Sequence, residues 1–478
     1  MPPQRIPWVI VGTALAVLIV VGSFGWQLPP ASRSPSSPAK FPVVPISLEG
    51  ANGSAISLEA GFLGVNLRAD EPFASSDGAH LNATGVRLVR YPGGGDGDRF
   101  DPLAGDDQGA VYNDAGQATI AKTSLSTFVT WCVSVSCASI ITLPAEIDNA
   151  STALSIVNYT EGTLGFHPTY WEIGNEPSLW DHFGIPWGEW NVSQNDTPTP
   201  GAYAKVVQTY VRAIRSVDPT TGIVGIGGIG KGASEVSEWF TPTIELNGPN
   251  LSAMAIHVYP AGSGFPSGNL SAWFGSLWGT TGLPSRVASA ESVMETDCPQ
   301  CHLSLLVDEF QTGTGLSPAT ALSGGYFATY LATELVQALP LPVTSMDYYV
   351  FEADSEGAWF NSTGASSSAY SLYLGLRTYL GPWAVQMEVG PSVRGVVAAE
   401  GGSSSGSMTS LLLANANSTT GVEVNLTSIY PDAAQGDAWT FDGSSSQPSE
   451  AALGAAGAED WVVPPASLVI FNGLGLSV

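Results

Sequence analysis

The sequence predicts an α/β chain in three parts: an N-terminal transmembrane segment, a (β/α)8 (TIM) barrel and an accessory C-terminal β-sandwich domain. Three patterns carry this reading. Short apolar runs alternate with helical stretches through the middle of the chain, strand-type alternation takes over beyond about residue 369, and the first residues hold a long apolar run without charge. With 478 residues the chain exceeds the ~250–300 at which one hydrophobic core stops growing, so a barrel plus a smaller domain is expected.

Taken in order, Ile6 through Trp26 contains no charged residue. That span can cross a ~30 Å hydrocarbon core, whereas a secretory apolar region is usually ~7–15 residues, so residues 1–28 are expected to be an uncleaved signal anchor rather than a removed peptide. Residues 29–42, rich in Pro and Ser, form a semi-rigid linker that holds the rest off the membrane. Residues 43–60 supply strands Val43–Leu48 and Ala55–Leu58, which join the sandwich. Residues 61–368 form the barrel, with strands expected at Gly61–Leu67, Val86–Tyr91, Ser139–Leu143, Thr169–Gly174, Gly222–Gly228, Ala253–Val258, Ser304–Glu309 and Ser345–Phe351. Between them lie helical patterns, clearest in Tyr203, Val206, Val207, Tyr210, Val211 and Ile214, whose spacing sets one apolar stripe against the barrel wall. Residues 369–478 begin with a helix, Ala369–Tyr379, stopped by Gly381-Pro382, and continue as sandwich strands such as Thr409–Ala414 and Gly421–Leu426.

Composition narrows the setting. There are 42 acids against 15 bases, a formal charge of −27, which excludes nucleic acid and anionic lipid as natural partners. A polyanionic substrate would need a local basic cleft, and the basic residues near expected rims are Arg68, Arg90, Arg99 and Lys231. Asn-x-Ser/Thr sequons recur from Asn52 to Asn425, in keeping with an extracytoplasmic glycoprotein. Polarity comes from Ser, Thr, Asn and Gly rather than Lys, a composition suited to an acidic habitat. The cysteines fall in two close pairs, Cys132 with Cys137 and Cys298 with Cys301. Local disulfides are the simplest reading; a shared four-thiolate zinc site is the other.

The chemistry concentrates in Tyr170-Trp171-Glu172-Ile173-Gly174-Asn175-Glu176-Pro177, an apolar run ending in an Asn-Glu pair at the rim where barrel enzymes place their reacting groups. Glu176 is the candidate general acid/base. Asn175 beside it can bind a substrate hydroxyl, and Trp180 supplies an aromatic wall. A second carboxylate follows in Leu305-Leu306-Val307-Asp308-Glu309-Phe310, where Glu309 fits a nucleophile. The intervening chain has room for three βα units at ~35–45 residues each, which sets the two acids on strands four and seven, facing one another. Glu146 and Asp148, past the third strand, read best as solvated loop acids. His257 reads either as a core histidine or as a substrate contact.

These residues resemble the retaining glycoside hydrolases of clan A. Val86-Arg87-Leu88-Val89-Arg90-Tyr91-Pro92-Gly93-Gly94-Gly95 resembles the strand-two signature of the heparanase/β-glucuronidase family (family 79) and the α-L-arabinofuranosidase family (family 51). The resemblance implies that Arg90 lies beneath the nucleophile. Ile256-His257-Val258-Tyr259-Pro260 is similar to the strand-six ending in these families, which implies that Tyr259 donates a hydrogen bond to Glu309. Val463–Phe471 resembles the strand that closes their β-sandwich. Two departures stand out. Tyr348-Tyr349-Val350-Phe351 lacks the Trp that many clan members carry on strand eight, and Asp308-Glu309-Phe310 matches neither family closely.

The resemblance implies an extracellular, membrane-anchored O-glycosyl hydrolase working by double displacement. It needs no metal or other cofactor and acts on an oligosaccharide, polysaccharide or glycoconjugate. Trp180, Tyr259 and Trp359 are expected to stack on sugar faces. A β-glucuronidase or heparanase-like activity leads, with an α-L-arabinofuranosidase or β-xylosidase-like enzyme as the alternative. A reading of another class is a surface carbohydrate-binding protein that has kept the scaffold without turnover.

Overall fold

In the computed structural model of the chain, the structure describes residues 41–478 apart from 73–75, 114, 147–149, 184–196, 227–232, 263–268, 314–323, 354–356, 391–392, 405–406, 431, 444, 446 and 475–478. The expected signal anchor at 1–28, nearly all of the linker, Asp148 and Lys231 lie outside the described residues. Among the described residues no helix is long and apolar enough to cross a membrane.

Eight parallel strands close into a barrel: β1 (Leu63–Asn66), β2 (Leu88–Tyr91), β3 (Ala138–Leu143), β4 (Tyr170–Ile173), β5 (Gly222–Ile226), β6 (Ala253–Val258), β7 (Ser304–Phe310) and β8 (Val343–Tyr348). All eight coincide with expected runs, and most are shorter. Their apolar sequence continues into the rim after the hydrogen-bond ladder has ended, as at Val350 and Phe351, which are buried yet lie beyond β8. The helix Pro200–Arg215 is capped by Thr199, whose hydroxyl accepts from the Ala202 amide at 3.2 Å, and it buries the whole predicted stripe from Tyr203 to Ile214. An unforeseen three-stranded antiparallel sheet (Phe100–Asp101, Ala110–Tyr112, Ala118–Ile120) rises from the loop after β2.

The accessory domain has the alternating strands expected of a sandwich, joined into one continuous curled sheet. Its strands are β9 (Trp383–Gly390), β10 (Val396–Ser404), β11 (Ser407–Asn415), β12 (Gly421–Val424), β13 (Asp437–Asp442), β14 (Ser449–Ala452), β15 (Trp461–Val463) and β16 (Ser467–Asn472). With an N-terminal strand, Val43–Ser57, they form one nine-stranded sheet rather than two separate sheets. The N-terminal strand pairs antiparallel with β9 and parallel with β12, so residues 43–57 join this domain as one long strand and not as two. Period-two alternation explains the curl. Val397, Ala399, Leu412, Ala414, Leu468 and Ile470 pack into the barrel's core, while Val396, Ala398, Leu411, Leu413, Val469 and Phe471 form a second core with Val422, Val424, Trp461 and Val463 from the sheet's other end. The sheet must fold over on itself to bring those ends together.

Both cysteine pairs are local disulfides, Cys132–Cys137 and Cys298–Cys301, with Cα atoms 5.1 and 5.4 Å apart. This consumes all four thiols and removes the zinc reading.

Candidate active site

Each candidate group stands at the C-terminal rim because its strand delivers it there. Glu309 is the penultimate residue of β7 and is 3% exposed. Its Oε1 accepts from Arg90 Nη1 at 2.6 Å and from the Gly94 amide at 2.9 Å, and its Oε2 accepts from the Tyr259 hydroxyl at 2.7 Å. Three donors therefore aim and charge-stabilise one carboxylate. Gly94 can present its amide because it is glycine: its φ is +67°, and a Cβ there would lie 2.6 Å from the Tyr349 hydroxyl.

Arg90, at 0% exposure, is no surface ion pair. Besides Glu309 it donates through Nε to Glu172 Oε2 at 2.5 Å, through Nη1 to Asn66 Oδ1 at 3.0 Å and through Nη2 to Asn175 Oδ1 at 3.0 Å. Burial opposes its charge, but Glu172, Asp308 and Glu309 outweigh burial and hold the guanidinium well above its ordinary pKa. Burial, with Glu309 next in weight, likewise pushes the Tyr259 phenol up, so it stays a neutral donor.

Glu176 lies three residues beyond β4, in the left-handed region at φ 40°, ψ 58°. That conformation is rare for a non-glycine residue, and rarer before proline. Asn175 and the turn Pro177–Leu179 hold it there: the Asn175 amide donates to Asp98 Oδ1 at 2.6 Å, and the Trp180 indole donates to the Asn175 carbonyl at 2.6 Å. Glu176 Oε1 lies 2.7 Å from His257 Nδ1, which is also 3.4 Å from Glu309 Oε2. His257 is thus neither a plain core histidine nor placed first for substrate; it bridges the two candidate carboxyls, with Nε2 turned to Asp308 Oδ1 at 3.5 Å. The facing atoms of Glu176, His257 and Glu309 all lie within 4.8 Å of one another, so by geometry this trio could also grip a cation.

Three expectations are corrected. Trp180 is 2% exposed and packs on Phe183 and Tyr203, so it supports Asn175 from behind and offers no face to a sugar. Trp359 is fully buried among Tyr348, Phe351, Tyr370 and Tyr373 and belongs to the core under β8. Glu146 is not solvated: it is buried, takes Arg99 Nε at 2.9 Å and accepts the amides of Asp181 and His182 at 3.0 and 3.1 Å. These partners offset its desolvation and tie the third rim to the loop after Glu176.

Sequence reasoning missed Glu172, Asp98, Asn66 and the Gly94 amide. A signal for Glu172 existed: it lies two residues before Gly174 in an apolar strand, and a charged residue inside such a strand must find a buried cation. Asn66 ends β1, Asp98 lies in the short helix Asp96–Arg99 after β2 and the Gly94 donor is backbone, and the apolar period of the sequence marks none of the three.

Fold and site together define a (β/α)8 protein with two carboxyls converging at the rim, one ringed by donors and one resting on an imidazole. Solved structures with similar folds include a family 51 α-L-arabinofuranosidase from Bifidobacterium longum (TM-score 0.68, 13% identity, 90% of this chain and 99% of that one). A family 51 arabinofuranosidase from Xanthomonas axonopodis pv. citri (0.65, 14%, 89% and 99%) and a family 44 xyloglucanase from Paenibacillus polymyxa (0.62, 13%, 90% and 100%) are similar too. The chain shares the overall fold of these solved structures. No protein-family model and no curated protein matches it.

Proposed function

We propose that the protein is a retaining O-glycosyl hydrolase, with Glu309 as nucleophile and Glu176 as acid/base. The observation that carries this reading is the convergence of the two carboxyls on one imidazole, Glu176 Oε1 at 2.7 Å and Glu309 Oε2 at 3.4 Å from His257 Nδ1, an approach that suits the closer carboxyl pair of retaining enzymes better than the wider pair that admits an inverting water. Glu309 attacks the anomeric carbon and Glu176 gives its proton to the departing oxygen. Water, losing a proton to Glu176, then displaces the glycosyl group from Glu309 with net retention. The His257 Nδ1 at 2.7 Å can accept from Glu176 in its acid form or donate to it in its base form, according to tautomer. Arg90 engages the Asn175 oxygen, which leaves the amide nitrogen as the end to meet a substrate 2-hydroxyl.

The favoured glycone is neutral, such as an α-L-arabinofuranoside, in place of the uronic acid that led the sequence reading. The described rim cations are already paired: Arg68 with Asp70 at 2.5 Å and Asp96 at 3.7 Å, Arg99 with Glu146, and Arg90 with Glu172 and Glu309. A β-glucuronide is the second reading, favoured by the 25% exposure of the Arg68 side chain. The similarity to a solved arabinofuranosidase and a solved xyloglucanase supports a carbohydrate substrate in general. The two disulfides support action outside the cytoplasm, where the N-terminal run would serve as the anchor.

The test is hydrolysis of aryl α-L-arabinofuranoside, β-xyloside, β-glucoside and β-glucuronide by the chain and its Glu309→Gln variant, from pH 2 to 7. Turnover of one neutral glycoside, lost in the variant, is expected. Turnover of the glucuronide alone would replace the neutral reading, and silence on all four, together with binding of a polysaccharide, would favour the non-catalytic carbohydrate-binding protein.

A further inference from the structure

A second cluster of mixed donors sits at the opposite mouth of the barrel. Glu161 lies in the turn Asn158–Thr163 before β4, His167 just ahead of β4, and Asp218 between the helix Pro200–Arg215 and β5. All three precede strands, which sets them at the N-terminal face, away from Glu176 and Glu309. His167 Nδ1 is 3.9 Å from Glu161 Oε2 and 4.0 Å from Asp218 Oδ2, and the three donor atoms lie within 4.8 Å of one another. Those separations from the imidazole exceed hydrogen-bond length. They suit donors arranged around a divalent ion that binds each at ~2.0–2.2 Å.

The carboxylates are also oriented from behind. Glu161 Oε1 accepts from the Trp171 indole at 3.1 Å, which leaves Oε2 for the cluster. Asp218 Oδ1 accepts from the Thr220 amide, the Thr220 hydroxyl and the Thr221 amide at 2.7, 2.8 and 3.1 Å, which turns Oδ2 the same way. Partners of this kind fix ligand oxygens in metal sites. The neighbouring cation Arg215 spends its donors on the carbonyls of Thr221 and Asn250. Two largely buried acid side chains, 7% and 11% exposed, thus converge below an imidazole that is 68% exposed and reachable from solvent.

We propose that Glu161, His167 and Asp218 bind a divalent metal ion with mixed nitrogen and oxygen preference, Zn²⁺ or Mn²⁺, and that the ion pins the entry to β4 against the entry to β5. Its role is structural and independent of the glycosidase reading. The test is thermal unfolding of the full chain at pH 7 after EDTA treatment and removal of the chelator, with ZnCl₂, MnCl₂ or CaCl₂ added, alongside metal counting after equilibrium dialysis. We expect Zn²⁺ or Mn²⁺ to raise Tm by ~5 °C or more at saturating concentration. His167→Ala, a surface change that leaves the fold intact, is expected to abolish the rise and remove one bound ion per chain. No rise with either metal would overturn the proposal. A rise and stoichiometry that persist in His167→Ala would do so as well, by assigning the ion elsewhere, such as the Glu176–His257–Glu309 trio.

Discussion

Asp347 offers the sharpest test of how the barrel interior handles charge. It lies on β8, fully buried. Burial raises its pKa from 3.8 to about 8; Arg90 pulls it back, and Glu172 adds to the rise. The sign follows directly. Between those two values the folded chain keeps a proton that the unfolded chain releases, so stability falls as pH rises through the window and is fully restored below the unfolded value. One proton is worth about 1.4 kcal/mol per pH unit, which makes the Asp347 contribution about 4 kcal/mol between pH 4 and pH 7. Asp347→Asn is neutral throughout. Whatever constant amount the amide costs cancels when the two proteins are compared across pH. Urea unfolding at pH 4, 5, 6 and 7 should therefore show wild type losing about 4 kcal/mol relative to the variant over that range. A pH-independent difference between the two proteins would refute the assignment of a retained proton to Asp347.

The other predictions concern the site. Glu176→Gln should lower kcat/KM on glycosides with poor leaving groups by ~10²–10⁴, and much less on aryl glycosides with activated leaving groups, whereas Glu309→Gln loses both; equal residual activity in the two variants would contradict the division of roles. Gly94→Ala should cost about 10- to 100-fold in kcat/KM with an unchanged far-UV spectrum, because a Cβ 2.6 Å from the Tyr349 hydroxyl displaces the amide that bonds Glu309. Tyr259→Phe, which removes one of three donors to Glu309, should cost a similar factor in kcat with little change in KM, read from steady-state kinetics on the best aryl glycoside.

The barrel was legible because each of its strands is an apolar run bounded by turn residues, and eight such runs in one order leave few topologies. Glu309 was legible for the same reason, since it ends a run. The position of Glu176 was less so: its turn is built from the Asp98 carboxylate and the Trp180 indole, which sit 78 residues before it and four after it in sequence and whose convergence depends on closure of the barrel. Trp180 and Trp359 misled because an aromatic near a sugar-type motif can be a platform or a wall, and only burial distinguishes them. The accessory domain was legible as alternating strands with two covered faces, but alternation does not specify whether two separate sheets or one curled sheet supplies them.

The charge distribution beneath the site connects these points. Arg90 touches Glu172 and Glu309 and lies 3.6 Å from Asp308, so one cation faces three buried acids. It cannot neutralise all of them. The structure divides the burden by pKa: Arg90 holds the Glu172 carboxyl below its ordinary value against the opposing effect of burial, while burial and Glu172 together push Asp308 well above its own. With Asp308 raised in this way its charge is the one disfavoured beside the nucleophile, and the guanidinium hydrogen-bonds Glu172 and Glu309 instead. Raised acids of this kind, Asp347 and Asp98 among them, make the folded state bind protons more tightly than the unfolded state, so these groups favour the fold in acid, whereas the lowered acids Glu172 and Asp218 oppose it once they are protonated. That is the physical form the acidic habitat suggested by composition would take. It would come from buried carboxyls such as Asp347 and Asp98.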